Sequence, residues 1–180
     1  MDKYEILLKQ NQKTFHATDL ALLWNISNKS TLNMTLKRFV DRGVLKRIHK
    51  GFYATCEISN IDLYDLGLAY LNTYGYVSLE TVLAKEGIIF QSVNYLTFIS
   101  AKTGIFTLNN KMYKSRKLKD QFLNNTAGVI KIGNHYEATK ERAVADMLYY
   151  SPKYFFDNVS NIDFYKVKLF QNEIGYVNSK

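Results

Sequence analysis

The fold follows from residues 29–55, KSTLNMTLKRFVDRGVLKRIHKGFYAT. The first half of this stretch predicts a helix over residues 29–42, which Asn28 caps at its start and Gly43 ends. The apolar residues of the helix recur at the spacing i, i+4, i+7 and i+8 and form one inward stripe: Leu32, Leu36, Phe39 and Val40. The opposite side of the predicted helix is polar and basic.

The second half of the stretch predicts a β-hairpin. VLKRI and FYAT alternate apolar and polar residues on either side of the turn His49-Lys50-Gly51. Upstream, the pattern predicts a helix over residues 3–11 and a second helix, DLALLWN, capped by Thr18. The predicted order is therefore two helices, a third helix and a basic hairpin. This is the order of a winged helix-turn-helix, which we expect from about Thr14 to Thr55.

The remainder of the chain predicts a second domain of mixed helices and strands. The predicted helices are 61–74, 79–86 with Ser78 as its cap and Gly87 at its end, one from its cap Thr139 through Tyr150, and 163–173. Three or four strands are expected between Tyr95 and Ile132. The predicted fold class is α+β, with a winged helix-turn-helix in residues 1–56. A mixed α/β domain with a small, mainly antiparallel sheet is expected in residues 57–180.

The positive charge of the chain is concentrated in its first third. Ten of the 24 lysines and arginines lie in residues 1–56, together with only four of the 16 acidic residues. The net charge of this stretch is therefore +6, out of +8 for the whole chain. Such an asymmetry indicates that the first domain faces an anionic partner.

The third helix and the hairpin supply the predicted contacts with duplex DNA. A helix fits a major groove about 12 Å wide, where Asn33 can pair with adenine and Lys29 or Lys37 with guanine or phosphate. The hairpin would lie against the phosphate backbone or the minor groove. The predicted DNA-binding residues are Lys29, Ser30, Thr31, Asn33, Met34, Lys37, Arg38, Lys46, Arg47, His49 and Lys50. The alternatives are a solvated helix face and a charged edge that prevents strand aggregation.

No motif in the sequence indicates catalysis, a cofactor or a metal. The three histidines, His16, His49 and His135, lack metal-ligand spacing, and the single cysteine, Cys56, is expected to be a small buried residue. Glycine-rich phosphate-binding loops are absent from the sequence. Glu80, Glu86 and Asp146 are expected on helix surfaces or at caps. We therefore expect a protein that is not an enzyme.

The hydropathy of the chain predicts a cytoplasmic protein without a membrane partner. No apolar run approaches the roughly 18 residues of a membrane span. The opening residues, MDKYEILLKQ, interleave acidic and basic residues, unlike a signal peptide.

A second basic stretch, KMYKSRKLK, covers residues 111–119. It predicts an exposed strand with a basic face. Such a strand suits a second nucleic-acid surface, a protein-partner surface or an ordinary edge strand, and the last two are favoured.

Three stretches resemble the AbiEi-type antitoxins of type IV toxin–antitoxin (abortive infection) systems. They are GVLKRIHKGFYAT at 43–55, YGYVSLETVLAKEGII at 74–89 and ATKERAVADMLYY at 138–150. Their order and separation also resemble the family over about residues 10–155. The first stretch is a general winged-helix signature, whereas the other two are more specific to the family.

The resemblance implies a transcriptional autorepressor that binds inverted repeats in double-stranded DNA at its own promoter. It also implies that the second domain counteracts a nucleotidyltransferase-like toxin, and it leaves open whether the two proteins touch. The residues by themselves leave a second function open, a protein-interaction module that uses the winged helix as a scaffold without sequence-specific DNA binding. Neither the operator nor the oligomeric state follows from the sequence.

Overall fold

The computed structural model describes residues 2–176, and the chain divides into two compact units. The first ends at Asn72 and the second begins at Thr73. The first unit contains α1 (Lys3–Leu8), β1 (Thr14–His16), α2 (Ala17–Leu23), α3 (Lys29–Asp41), β2 (Lys46–His49), β3 (Phe52–Ala54) and α4 (Leu63–Leu71). Its three strands form an antiparallel sheet in the order β1-β3-β2.

The boundary between the units lies after Asn72, whereas the sequence placed it at residue 56. Helix α4 belongs to the first unit because it packs on the sheet. The imidazole Nε2 of His16 donates to the carbonyl oxygen of Ala69 at 2.9 Å, and the ring of Tyr70 lies edge-on to Phe52 with centroids 5.5 Å apart.

The start of α2 differs from the prediction. Residues 14–16 form strand β1, which is too short to show a periodic pattern, and α2 begins directly after it. The capping residue is His16 and not Thr18, since the backbone N–H of His16 donates to the carboxylate of Asp19 at 2.9 Å. Helix α1 ends at Leu8 rather than at residue 11.

The second unit is built on a larger sheet than the sequence predicted. Its elements are β4 (Gly75–Val77), α5 (Glu80–Lys85), β5 (Tyr95–Ser100), β6 (Gly104–Leu108), β7 (Lys111–Lys117), α6 (Asp120–Leu123), β8 (Val129–Ile132), β9 (His135–Ala138), α7 (Lys140–Tyr150) and α8 (Phe164–Ile174). Six strands within the described residues form one sheet in the order β6-β7-β5-β4-β9-β8.

This sheet is mixed and larger than expected, although most of its pairings are antiparallel, as the sequence predicted. Strand β7 runs parallel to β5, and β4 runs parallel to β9. The other three pairings are antiparallel. Two of the strands, β4 and β9, were not predicted because each is only three or four residues long and nearly all buried. The α+β class is confirmed. No helix in residues 2–176 has the length and apolarity needed to cross a bilayer.

A buried ion pair on α7 connects the elements of the second unit. Arg142 and Asp146 are one turn apart and both fully buried, with 2.9 Å between Nε and Oδ1. Arg142 also donates to the carbonyl oxygens of Asn125 and Ala127, at 3.1 and 2.6 Å, and to the hydroxyl of Tyr76 at 2.8 Å. Four hydrogen bonds therefore engage all three nitrogen atoms of the guanidinium, which offsets part of the cost of removing its charge from water.

The carboxylate of Asp146 is equally well satisfied. It accepts hydrogen bonds from the hydroxyls of Ser78 (2.8 Å), Tyr76 (3.2 Å) and Tyr176 (2.6 Å). Burial raises the pKa of Tyr76 and Tyr176, and the negative charge of Asp146 raises both further, so the phenols stay protonated and donate. The sequence expected Asp146 on a helix surface and Ser78 as a helix cap. Both expectations were wrong, because Ser78 binds Asp146 while Leu79 precedes α5.

We expect Asp146→Ala to lower the free energy of unfolding of the second unit by about 3–5 kcal/mol, because it leaves the buried guanidinium without its counter-charge. Urea denaturation followed by circular dichroism measures the loss. The matched control is Asp120→Ala, which removes an exposed carboxylate and is expected to change the free energy by less than about 0.5 kcal/mol. Equal losses in the two variants would contradict the central role of the ion pair.

Candidate nucleic-acid interface

Helix α3 turns its apolar stripe into the core of the first unit. Leu36 and Phe39 are buried, and the ring of Phe39 lies 4.9 Å from that of Trp24. The opposite face is left in solvent. All seven helix residues predicted from the sequence are exposed: Lys29, Ser30, Thr31, Asn33, Met34, Lys37 and Arg38.

The ends of α3 follow the predicted signals. The side-chain oxygen of Asn28 accepts from the backbone N–H of Thr31 at 3.0 Å, and Gly43 follows the helix with a φ of +71°. Both predicted boundary residues are confirmed. The hydroxyl of Thr31 also points to Asn28, at 3.4 Å, so Thr31 takes part in the cap.

The cations of α3 are uncompensated. Lys29, Lys37 and Arg38 form no ion pair within residues 2–176. Lys29 also lies in the first turn, where the helix dipole adds positive potential. A helix of 13 residues is about 20 Å long, so these charges and the amide of Asn33 lie along a rod that a major groove can hold.

The hairpin is fixed against the helices at its base and at its turn. The backbone N–H groups of Val44 and Leu45 both donate to the carbonyl oxygen of Phe39, at 2.9 and 3.1 Å. The carbonyl oxygen of Gly51 accepts from the N–H of Ala17 at 2.8 Å. Gly51 has a φ of +74°, a conformation that the tight turn requires and that other residues adopt only with strain. Backbone hydrogen bonds therefore join the hairpin to α3 at its base and to the start of α2 at its turn.

The four hairpin residues predicted to bind DNA differ in what holds them. Lys46 forms an ion pair with Glu57, and the imidazole Nδ1 of His49 lies 3.3 Å from the hydroxyl of Tyr70. Arg47 and Lys50 are exposed and form no ion pair within the described residues. The register between β2 and β3 shifts between Arg47 and His49. The shift is typical of a bulge, which strengthens the twist of the hairpin. Arg47 and Lys50 are thus the hairpin cations available to a partner.

Two groups that contact the hairpin, Glu57 and Tyr70, were not predicted from the sequence. Glu57 is the first acidic residue after the hairpin, and this closeness in the sequence could have indicated its ion pair with Lys46. Tyr70 was predicted on a helix of the second domain, so its contact with His49 had no local signal. Cys56, expected to be buried, is partly exposed.

The basic stretch 111–119 is not an edge strand. Strand β7 lies between β5 and β6, and its basic residues are divided between the two faces of the sheet. Lys114 and Arg116 share one face, whereas Lys111 and Lys117 have the opposite parity. The expected single basic face is therefore not formed. The sequence pattern failed here because the basic residues do not recur at intervals of two.

Comparison of the chain with models of known protein families and with curated proteins finds no match.

Proposed function

We propose that the first unit is a winged helix-turn-helix that binds duplex DNA, with α3 in the major groove and the β2–β3 hairpin as its wing. One observation carries the proposal. The face of α3 turned away from the core holds three unpaired cations and an exposed amide, and the same helix leads directly into a hairpin that exposes Arg47 and Lys50. Exposed cations fit a polyanion, since their binding to phosphates releases condensed counterions.

The element order of the first unit supports this proposal. Helix α1, strand β1, helices α2 and α3 and the hairpin β2–β3 follow one another, with β3 in the middle of the small sheet. In this arrangement the second helix of the pair is the one that enters the groove. Asn33 is then the side chain suited to reading adenine, while Arg47 and Lys50 contact phosphates and carry no sequence information.

At the level of the whole chain, we propose a transcriptional autorepressor and antitoxin of a type IV toxin–antitoxin system, acting against a nucleotidyltransferase-like toxin. The support is the resemblance of three stretches to AbiEi-type antitoxins. The two more specific stretches contribute Tyr76, Ser78, Arg142 and Asp146, which are joined in the buried network described above. These residues support a common fold for the second unit. Under this proposal the antitoxin role belongs to other residues, on its surface, and the chain binds rather than catalyses.

The wing is tested by the salt dependence of binding. We expect the double variant Arg47→Ala/Lys50→Ala to flatten the slope of log affinity against log salt by about 0.9 for each lost phosphate contact. The matched control is Lys46→Ala. In the parent protein the ammonium group of Lys46 is already paired with Glu57, so we expect the slope of this variant to stay close to that of the parent. Fluorescence anisotropy with duplex DNA from upstream of the gene gives the slopes. Identical slopes for the double variant and the parent would show that the hairpin does not touch phosphate.

The base-reading role of α3 is tested at Asn33. Asn33→Ala is expected to cost about 1–3 kcal/mol on the best operator and much less on random duplexes, since only the operator offers the paired base. Ser27→Ala, an exposed change just before the helix, serves as the control. A uniform loss on all duplexes would assign Asn33 to backbone positioning. A parent protein that binds every duplex equally, or none, would favour the protein-interaction module instead.

The two proposed roles are expected to separate within the full chain. Arg47→Ala/Lys50→Ala should relieve repression of a reporter gene driven by the promoter upstream of the gene. The variant should still protect cells that express the nucleotidyltransferase-like toxin of the proposed system, because the changes lie in the first unit. Reporter activity and colony counts measure the two effects, with Lys46→Ala as the variant that retains both. A folded double variant that loses protection together with repression contradicts this separation.

A further inference from the structure

We propose that the second unit binds a mononucleotide whose base carries an amino group, at the sheet face where Glu80, Tyr95, Lys114, Arg116 and Tyr154 meet. This site is separate from the proposed DNA interface and uses none of its residues. The proposal rests on one buried carboxylate oxygen without a hydrogen-bond partner, two cations held only by loose contacts and an exposed apolar surface beside them.

The acceptor is the carboxylate of Glu80. The residue is 8% exposed, and its Oε2 atom has no hydrogen-bond partner within the described part of the chain. Burying a carboxylate oxygen without a donor is costly. Glu80 is the first residue of α5, where the helix dipole favours a negative charge, but the dipole gives Oε2 no hydrogen-bond donor. The carboxylate is therefore suited to accept an N–H group from a ligand.

The cations lie on the same face of strand β7. The Nη2 atom of Arg116 is 3.6 Å from Oε1 of Glu80, which is longer than a hydrogen bond, and its guanidinium lies 5.3 Å from the ring centre of Tyr150. Two residues earlier, the ammonium of Lys114 lies 5.2 Å from the ring centre of Tyr95. A phosphate offers both cations charge-assisted bonds of about 2.7–2.9 Å, which are shorter and stronger than these contacts.

Tyrosine hydroxyls complete the polar part of the site. Burial raises the pKa of Tyr95 and Tyr154, and the negative charge of Glu80 raises both further. The hydroxyl of Tyr95 also donates a hydrogen bond to the Glu80 carboxylate, which leaves the Oε2 atom as the oxygen without a partner. The two phenols therefore stay protonated at neutral pH and remain hydrogen-bond donors.

An apolar surface adjoins these groups. In the sheet register, Ile105 on β6 lies opposite Lys114, and Met112 on β7 lies opposite Tyr95. Partners in register share one face of a sheet. Ile105 and Met112 are 70% and 45% exposed, so a flat ring can lie on this face beside the cations.

These features together select the ligand class. An amino group suits Glu80, a flat aromatic base suits the apolar surface, and a phosphate suits Lys114 and Arg116. A simple phosphate leaves the Oε2 atom of Glu80 without a donor, and a cationic peptide meets repulsion from both basic residues. When a nucleotide binds, Arg116 moves from Glu80 to the phosphate, and the amino group of the base takes its place at the carboxylate.

Calorimetric titration of the full-length protein tests the proposal, with AMP, CMP, GMP, UMP and inorganic phosphate as separate probes. We expect at least one amino-bearing nucleotide to bind with a Kd below about 1 mM and at least tenfold more tightly than UMP or phosphate. Uracil has no amino group, and its single N–H is flanked by carbonyl oxygens that a carboxylate repels.

Variants of the full chain assign the binding to this face. Glu80→Gln is expected to reduce the preference over UMP to less than about threefold, and Arg116→Ala to weaken all nucleotides at least tenfold, the usual size of a charge-assisted contact. Lys131→Ala on β8 removes an exposed charge elsewhere on the sheet and should leave the affinities unchanged. Absence of nucleotide binding, equal binding of UMP and the other nucleotides, or an unchanged preference in folded Glu80→Gln would each overturn the proposal. Each of these results leaves the proposed DNA binding unaffected.

Discussion

The second unit depends on the charge pair of Arg142 and Asp146, because two ions buried without water require every remaining donor and acceptor to find a partner at the same time. That requirement reaches well beyond α7. It positions strand β4 through Tyr76 and the segment at 125–127 through its carbonyl groups. The side chain of Arg142 also restricts which residue can stand at position 128. Gly128 has a φ of +68°, and an added Cβ atom there would approach the Cβ of Arg142 to 2.8 Å. One electrostatic demand thus couples elements that are far apart in the sequence.

In the first unit, by contrast, the cations of α3 are exposed to solvent rather than buried in ion pairs. Its cations on α3 stay in water, where an unpaired charge costs little, and they keep their full capacity for a partner. The hairpin combines both strategies within a few residues. Lys46 is neutralised by Glu57 and His49 contacts Tyr70, whereas Arg47 and Lys50 stay uncommitted. The count of basic residues in a stretch therefore overstates the charge that the surface presents, and pairing decides which residues contribute to recognition.

Features that depend on residues close together in the sequence were predicted correctly, whereas features that depend on distant residues were not. Asn28, Gly43, Thr139 and the turn at Gly51 act on neighbours within a few residues, so local patterns located α3, α7 and the hairpin. The errors concern distant partners. Asp146 bonds to Ser78 across 68 residues, and β7 is interior because β5 and β6 both pair with it. Short buried strands such as β1 and β4 carry too few residues for a period to emerge. The basic outer face of α3 followed from its helical spacing, whereas the cluster around Glu80 requires the packing of α5 against the strand that carries Arg116.

The packing of α4 on the small sheet has a consequence for how the first unit can be separated or transplanted. Although the helix follows the hairpin in the chain and shares none of its basic character, it covers Phe52 and accepts the imidazole N–H of His16, the residue that caps α2. A fragment that stops at residue 56 would expose that aromatic surface and lose the hydrogen bond between α4 and the residue that caps α2. The smallest module that keeps its own interior therefore extends through α4 to Asn72.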